Sequence, residues 1–411
     1  MVKFIKSLSI CLLVISSVMF TLIAYGEKWI PDEIIIMGDK EFKIEKVFTV
    51  KESNSPNEIQ ISKGISDAEK EYTLDISFLN IIPVKQSHVQ VSKRHYVVPG
   101  GDIFGLKLYS SGVMIVGTSL VQTPSGKLNV AENTGLQIGD IILSIDGLQV
   151  NQSNLVAEII EKSGGKTLNL KIMRNSDVFD VSFTPVLSSI DGKYKGGLWI
   201  RDSAAGIGTI TYYDVTNGVF ASLGHAVCDV DTSSPIPILN GEAVEARITG
   251  CYKGTSGTAG ELCGVFTNGK IGSIMINGNT GIYGTIDKNF GKSALIPVAI
   301  SSEVRTGKAQ IISTISGNEK QYYDIEITKI FRSDSASVRN MAVKITDSRL
   351  IEQTGGIVQG MSGSPIIQNG MLVGAITHVF INDALQGYAI FAENMINTSD
   401  YLYDCLNQKA S

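Results

Sequence analysis

The second half of this chain consists of short apolar runs separated by turns that contain Asn-Gly. Asn-Gly between apolar runs is the strongest short-range signal of a β-hairpin, because both turn residues readily adopt positive φ angles. Such pairs begin at Asn217, Asn240, Asn268 and Asn277. No long helical pattern interrupts the region until Asn394–Leu406. The pattern predicts a mainly β fold, with a β-region of about 190 residues built as a double barrel or a sandwich.

Composition indicates two or three folded domains and disfavours several functions. Of the 411 residues, 43% are hydrophobic and 18% are charged, which allows sizeable apolar cores. A net charge of −5 offers no basic surface for nucleic acid. The five cysteines and four histidines show no metal-ligand spacing, so neither a metal nor a cofactor is expected. Cys251 and Cys263 either pair across neighbouring strands or remain free thiols.

The N-terminus carries the pattern of an export signal. Lys3 and Lys6 precede an apolar run from Leu8 to Ala24. The run has 17 positions, whereas crossing a bilayer takes about 20. Residues 1–28 are therefore interpreted as a cleaved signal peptide or a membrane anchor, and the rest of the chain is expected to be exported. Residues 29–96 are predicted to be a β-rich region with a polar linker.

A peptide-binding module is predicted for residues 97–186. Its most specific segments are Ala131-Glu-Asn-Thr-Gly-Leu136 and Ile138-Gly-Asp-Ile-Ile-Leu-Ser-Ile-Asp-Gly147, which resemble those of a PDZ domain. A glycine-rich loop begins at Pro99 and runs into a strand, and backbone N–H groups in such a loop form an anion-binding concavity. By resemblance to the PDZ loop, the residues expected to bind a peptide segment are Ile103, Phe104, Gly105 and Leu106.

A glycine-rich loop around a serine indicates a nucleophile. The segment reads Gly355-Gly-Ile-Val-Gln-Gly-Met-Ser-Gly-Ser-Pro-Ile-Ile, then turns through Gln-Asn-Gly into Leu-Val-Gly-Ala-Ile. A glycine two positions before Ser362 lets the N–H groups of Gly360 and Ser362 converge on one oxygen, as an oxyanion hole requires. The layout resembles the nucleophile loop and hairpin of chymotrypsin-like serine proteases. The alternative is an ordinary glycine-rich turn.

A serine hydroxyl needs a base within hydrogen-bond reach. His225 follows a short apolar strand in Leu-Gly-His-Ala-Val and is the preferred candidate, while His378 lies 16 positions after the serine and competes. In the chymotrypsin-like fold this later segment runs beside the substrate. Thr377, His378 and Val379 are therefore expected to be substrate-adjacent.

A carboxylate that orients the imidazole would complete such a site. Asp347 follows an apolar strand and precedes the serine by 15 positions. The other candidates are Asp229, Asp231, Asp287 and Asp324. Cys228 is a rival nucleophile, disfavoured because it lacks glycine-rich surroundings.

The ordered motifs resemble the stage IV sporulation protein B family of serine peptidases. The resemblance covers Leu-Gly-His-Ala-Val, Ile-Thr-Asp-Ser-Arg-Leu and the serine loop, behind an apolar N-terminus and a PDZ module. It implies a chymotrypsin-like double-barrel peptidase domain over residues 187–411 with a triad of His225, Asp347 and Ser362. It also implies export from the forespore into the intermembrane space and self-cleavage. Cleavage of a membrane-bound regulator then signals to the mother cell, where a late sigma factor is activated.

Two other functions remain as alternatives. One is a non-catalytic PDZ scaffold on a degenerate protease fold. The other is a quality-control protease of the envelope, although such enzymes usually carry PDZ modules after the catalytic domain rather than before it.

Overall fold

The computed structural model divides the chain into two compact units, residues 1–95 and 96–411. The structure describes residues 10, 13–14, 16–21, 23–24, 27, 30, 32–37, 48–52, 70–78, 81–255, 257–287, 293–331 and 338–410. The predicted export segment, residues 1–28, lies largely outside these ranges. No helix in the described part of the chain is both long and apolar enough to cross a bilayer.

The described part of the N-terminal unit contains one sheet. Its strands are β1 (Glu33–Met37), β2 (Phe48–Glu52), β3 (Lys70–Phe78) and β4 (Ile82–Ser92). They lie in the order β1-β4-β3-β2, and only β1 and β4 run parallel. Alternate residues of β3, Leu74 and Ile76, are buried with Ile30 and Val89 because one face of the sheet is apolar.

The larger unit is mainly β, as predicted. Its strands are β5 (Tyr96–Pro99), β6 (Ile103–Thr118), β7 (Val121–Thr123), β8 (Gly126–Leu128), β9 (Ile141–Ile145), β10 (Leu148–Gln149), β11 (Leu168–Arg174), β12 (Asp177–Phe183), β13 (Val186–Leu187), β14 (Tyr194–Lys195), β15 (Leu198–Asp214), β16 (Val219–Ser222), β17 (Ile238–Tyr252), β18 (Glu261–Gly278), β19 (Gly281–Ile286), β20 (Ile296–Pro297), β21 (Gly307–Ser313), β22 (Gln321–Ile330), β23 (Met341–Ile345), β24 (Pro365–Gln368), β25 (Met371–Phe380) and β26 (Asp383–Phe391). Its helices are α1 (Val130–Thr134), α2 (Ser153–Lys162), α3 (Ser348–Thr354) and α4 (Ala392–Ala410), with a 3-10 turn at Ser301–Glu303.

Six strands close a first barrel in the order β6-β17-β18-β19-β16-β15, and β15 pairs back to β6. Inward-facing residues such as Phe104, Leu108, Phe220 and Ile274 form its core. In a barrel of this size, side chains fill the interior and leave no channel.

Six more strands close a second barrel in the order β21-β22-β23-β26-β25-β24. Its core includes Ile311, Val343 and Ile376. The C-terminal helix α4 buries Met395 and Ile396 in a further cluster that draws residues from strands of both barrels. The predicted double barrel is therefore confirmed, and the sandwich alternative is not.

The predicted peptide-binding module is inserted between two strands of the first barrel. In β6, residues 103–110 pair with β17 and with β15 in the barrel, whereas Val113 and Met114 pair with β9 of the module. Val113 and Ile142 belong to a separate core that the helices α1 and α2 cover. The long strands β6 and β15 thus pass from the barrel into the module without interruption.

The prediction of a carboxylate-binding loop before this module is wrong. The four residues assigned to it form a strand of the first barrel: Ile103, Phe104, Gly105 and Leu106. Phe104 pairs with Gly208 on β15 and with Glu245 on β17, and it is fully buried. With both edges paired, this strand cannot accept a peptide. The module therefore begins after residue 110 rather than at 97. The prediction failed because a glycine-rich segment that leads into an apolar strand is equally compatible with a barrel strand.

Candidate active site

Ser362 lies half-buried on the loop between α3 and β24. Gly360 and Gly363 beside it have φ angles of +95° and +93°, a region in which side chains cause strain. A Cβ at Gly363 would lie 2.0 Å from the carbonyl oxygen of Thr209. Glycine is therefore required at position 363 for the loop to approach β15.

Two buried threonines of β15 hold the serine loop across the boundary between the barrels. The N–H of Thr209 donates to the Ser362 carbonyl at 3.0 Å, and the Thr209 hydroxyl donates to the Gly360 carbonyl at 2.8 Å. The Thr211 hydroxyl donates to the Gly363 carbonyl at 2.8 Å. Sequence analysis missed these threonines, because a polar residue inside a strand does not reveal its partner in another barrel.

The Ser362 hydroxyl donates to the backbone carbonyl of Thr377 on β25 at 2.7 Å. The Gly363 N–H donates to the Ile376 carbonyl of the same strand at 2.8 Å. Among the described residues, no backbone carbonyl accepts from the N–H of Gly360 or of Ser362. Both groups are thus free to donate to an added oxygen, as the predicted oxyanion hole requires.

His225 follows β16 after a tight turn. Leu223 and Gly224 have φ angles of +65° and +71°, in the left-handed region. A Cβ at Gly224 would lie 2.8 Å from Cγ2 of Thr377, so this turn packs directly against β25. The turn therefore brings His225 to the strand that accepts the Ser362 hydroxyl.

The His225 ring is held by its neighbour's backbone. Its Nδ1 lies 2.8 Å from the Ala226 carbonyl oxygen. A carbonyl only accepts, so Nδ1 carries the proton of the neutral ring and Nε2 keeps a lone pair. Burial lowers the pKa of His225, although the Ala226 contact acts in the opposite direction. His225 is therefore neutral at pH 7, which is the protonation state of a general base.

His378 lies beside His225, with ring centroids 4.6 Å apart and planes inclined at 39°. Its Nδ1 is buried and has no hydrogen-bond partner among the described residues. Burial, followed by the charges of His225 and Arg339, lowers the pKa of His378 to about 4. His378 is thus a neutral neighbour of the candidate base at pH 7.

The predicted substrate-adjacent residues Thr377, His378 and Val379 lie on β25. One edge of this segment pairs with β26, where His378 lies opposite Tyr388. On the other edge, β24 pairs with β25 only as far as Ala375. In the described ranges no strand pairs with that second edge beyond Ala375, and the serine loop contacts it there through Ile376 and the buried Thr377. The substrate-adjacent role stays a prediction.

The structure does not bring Asp347 to His225. The Asp347 carboxylate caps helix α3 by accepting from the Arg349 N–H at 2.9 Å, and it also pairs with the Arg349 side chain at 2.7 Å. The Asp324 N–H donates to it as well, at 3.3 Å. Its hydrogen bonds therefore stabilise the start of a helix, and none of them reaches His225.

Strand register explains this separation. Ala342 on β23 and His378 on β25 both pair with Tyr388 of β26. From Ala342, β23 runs three residues further to Ile345, about 10 Å along the strand, before Asp347 follows. The predicted Ser-His-Asp triad is not assembled in this structure. The spacing of 15 residues between Asp347 and Ser362 does not specify the direction in which β23 runs, so it could not predict this separation.

The other aspartates considered from sequence also have other partners. Asp229 and Asp231 bind Arg201, Asp287 pairs with Lys270, and Asp324 accepts from Gln310.

Asp347→Asn is expected to lower stability by about 1–2 kcal/mol while leaving the reactivity of Ser362 within a few-fold. The Arg349 side chain is the main cause that lowers the pKa of Asp347, to about 2. The stabilisation is therefore present above pH 4 and lost as pH falls through about 2. Urea unfolding across this range, with labelling of Ser362 by a fluorophosphonate, tests both points. A 100-fold loss of labelling at unchanged stability would show that Asp347 contributes to catalysis.

His378→Phe is expected to reduce the acid sensitivity of the fold. An unfolded histidine takes up its proton near pH 6.5, as against about 4 for His378 in the folded chain. Between these values the unfolded state binds more protons, so stability falls as pH drops from about 6.5 to 4. The variant should lose less free energy of unfolding over this window in denaturant melts at pH 7 and pH 4.5. An identical loss in parent and variant contradicts this expectation.

The described cysteines are free thiols: Cys228, Cys251, Cys263 and Cys405. The pairing of Cys251 with Cys263 that the sequence left open is therefore not formed. Desolvation raises the pKa of the Cys228 thiol. Because the thiolate is the reactive form, this shift further disfavours Cys228 as a nucleophile.

Two protein-family models match the chain. The model described as SpoIVB peptidase S55 matches residues 192–396, and a PDZ domain model matches residues 121–184. The start of the PDZ match agrees with a module that begins after the barrel portion of β6.

Among solved structures, the chain is similar to the Rv3671c protease from M. tuberculosis. The active form has 15% identity and a TM-score of 0.27 over 47% of this chain and 72% of that chain. The inactive form has 12% identity and a TM-score of 0.27 over 46% and 81%. No residue of the site is assigned from these similarities.

The double barrel, the serine loop and the peptidase-family match define the protein class as serine peptidase. The chain belongs to the SpoIVB-type serine peptidases that carry a PDZ domain.

Proposed function

We propose that this protein is an endopeptidase in which Ser362 is the nucleophile and His225 the general base. The observation that carries the proposal is that the Ser362 hydroxyl and the His225 turn both contact Thr377 of β25. Ser362 Oγ would attack the peptide carbonyl carbon while its proton passes to Nε2 of His225. The N–H groups of Gly360 and Ser362 would hold the oxyanion. The proton then passes from Nε2 to the leaving amine, and water hydrolyses the acyl-enzyme.

This mechanism requires the Ser362 hydroxyl to change its hydrogen-bond partner. The hydroxyl would leave the Thr377 carbonyl by rotation about its side-chain torsion and turn toward His225. The tautomer that accepts the proton is already favoured, because the Ala226 carbonyl holds Nδ1–H. In this proposal a backbone carbonyl fixes the tautomer, a role that an aspartate has in most serine peptidases.

The biological role we propose is signalling by limited proteolysis during sporulation. Membership of the SpoIVB-type peptidases and the PDZ domain support it. The exported protein would act in the space between forespore and mother-cell membranes, where it cleaves itself and then the extracytoplasmic part of a membrane-bound regulator. A late sigma factor in the mother cell is activated as a result. The PDZ domain would bind an extended segment of substrate or of a second copy and raise its local concentration.

The test is labelling of the purified protein with a fluorophosphonate, followed by mapping of the modified residue. We expect modification of Ser362, and we expect Ser362→Ala to remove both the labelling and self-processing while the chain stays folded. An unlabelled but folded parent would favour the non-catalytic PDZ scaffold. Extensive degradation of unfolded casein would favour an envelope quality-control protease.

A further inference from the structure

We propose that Arg201 is a positioning residue for this peptidase. It would hold the loop that begins at His225 through an ion pair with the buried Asp229, and this role rests on the proposed function of His225. Arg201 lies on β15 opposite Met114, in the part of the strand that belongs to the inserted module. The PDZ module would thereby supply part of the support for the active site.

The guanidinium of Arg201 binds two aspartates of the loop. Nη1 donates to Oδ2 of Asp229, and Nη2 donates to Oδ2 of Asp231 at 2.8 Å. The Asp229 side chain is 1% exposed, whereas that of Asp231 is 50% exposed. A carboxylate that is fully buried is stable only when charged or hydrogen-bonded groups compensate its lost hydration. Asp229 therefore depends on Arg201, and Asp231 depends on it far less.

Asp229 in turn organises the loop. Its Oδ1 accepts from the N–H groups of Asp231 and Thr232, each at 3.0 Å. Its own N–H donates to the Ser234 carbonyl at 2.9 Å. The same carboxylate thus shapes a turn with one oxygen and binds Arg201 with the other. Asp229 is four residues after His225, so in this proposal a displaced turn would pull on the short backbone segment that leads to the imidazole.

The loop has a second anchor within the first barrel. The Asn277 side chain on β18 accepts from the Val227 N–H at 2.7 Å and donates to the Val227 carbonyl at 2.8 Å. It also donates to the Ile236 carbonyl at 2.9 Å. These bonds do not involve Arg201 and would remain after its substitution. Substitution of Arg201 should therefore loosen the loop and leave the barrel folded.

The residue next to Arg201 ties the strand to a helix of the module. The Asp202 carboxylate accepts from the Ser153 N–H at the start of α2, at 2.7 Å. Arg201 and Asp202 therefore connect the His225 loop and helix α2 to adjacent points of one strand. The position of the module's helix is in this way linked to the position of the base.

The test compares Arg201→Gln with Arg174→Gln. The control breaks a similar ion pair in the module, in which Asp140 is 0% and Arg174 29% exposed, against 1% and 35% for Asp229 and Arg201. We expect fluorophosphonate labelling of Ser362 to slow by about 10- to 100-fold in Arg201→Gln, since small misplacements of catalytic groups have effects of this size. Arg174→Gln should label within about 3-fold of the parent at a similar loss of Tm.

Two further readouts separate positioning from stability. A loosened loop hydrates the His225 ring, so the pKa midpoint of the labelling rate should rise toward the ordinary histidine value in Arg201→Gln alone. Hydrogen exchange in residues 225–236 should also quicken in that variant and not in the control. Arg201→Lys, which keeps the charge, should restore part of the rate.

Equal labelling rates, equal pH midpoints and equal exchange in the two glutamine variants would overturn the role of Arg201. If the parent itself is not labelled at Ser362, the proposed function fails instead. Hydrogen exchange then still decides whether Arg201 holds the loop.

Discussion

His225→Gln is expected to slow the reaction of Ser362 with a fluorophosphonate by about 10²- to 10⁴-fold, the usual contribution of a general base. Glutamine approximates the size of the imidazole but has no basic nitrogen, so the Ser362 proton would have no acceptor other than water. The variant would also lose the hydrogen bond from the imidazole Nδ1 to the Ala226 carbonyl, which selects the reactive tautomer. The measurement is the second-order labelling rate at pH 7.5 on variant protein shown to be folded by its denaturant midpoint.

His378→Gln is the matched control for this experiment. Its ring lies 4.6 Å from that of His225 and it is the other imidazole near Ser362, so a general disturbance of the pocket would affect both variants alike. We expect the control to retain labelling within about 10-fold, because its imidazole accepts no proton in the proposed mechanism. The opposite order of effects would make His378 the base and remove His225 from that role.

Gly363→Ala is expected to destabilise the protein by about 3 kcal/mol or more and to abolish measurable labelling of Ser362. The added Cβ would lie 2.0 Å from the Thr209 carbonyl oxygen and 2.5 Å from the Leu223 nitrogen. Both are backbone atoms that cannot turn away, and the φ angle of +93° adds further strain. The loop must therefore move away from β15, which breaks the bonds that position the nucleophile. Urea unfolding and the labelling rate measure the two effects.

Gly370→Ala separates backbone strain from steric overlap. Gly370 has a φ angle of +76°, but a Cβ there would meet nothing within 4 Å. Strain alone predicts a loss of about 1 kcal/mol and unchanged reactivity of Ser362. If the two alanine variants were equally stable, the close approach of the serine loop to Thr209 would not exist in solution.

The inserted position of the PDZ domain has a structural consequence. Because β6 and β15 each continue from the first barrel into the module, the two parts share hydrogen-bonded strands instead of a flexible linker. Further along β15, Thr209 holds the serine loop, while Arg201 on the same strand holds the loop after His225. Strand β15 thus forms hydrogen bonds to the loops that carry both proposed catalytic residues.

Features that depend on local conformation and burial could be predicted from the sequence alone. Short apolar runs separated by turns predicted the β-barrels, although among the four Asn-Gly pairs only Asn217-Gly218 forms a turn between strands. Asn240 lies within β17, and Asn268 and Asn277 lie within β18. Gly360 predicted a bent loop around Ser362, which its positive φ angle confirms. The motif from Ile138 to Gly147 identified the PDZ module, which the family match confirms. Such features are encoded within a few neighbouring residues, so they can be inferred without knowledge of distant contacts.

Which distant groups meet became clear from the three-dimensional structure. It assigned Asp347 to a helix cap and placed Ile103–Leu106 inside a barrel, against both predictions. It also paired Thr209 with the serine loop and Arg201 with Asp229, contacts that no local pattern indicated. Strand order and register determine these pairings. They arise from the packing of whole barrels, so the spacing of residues along the chain does not specify them.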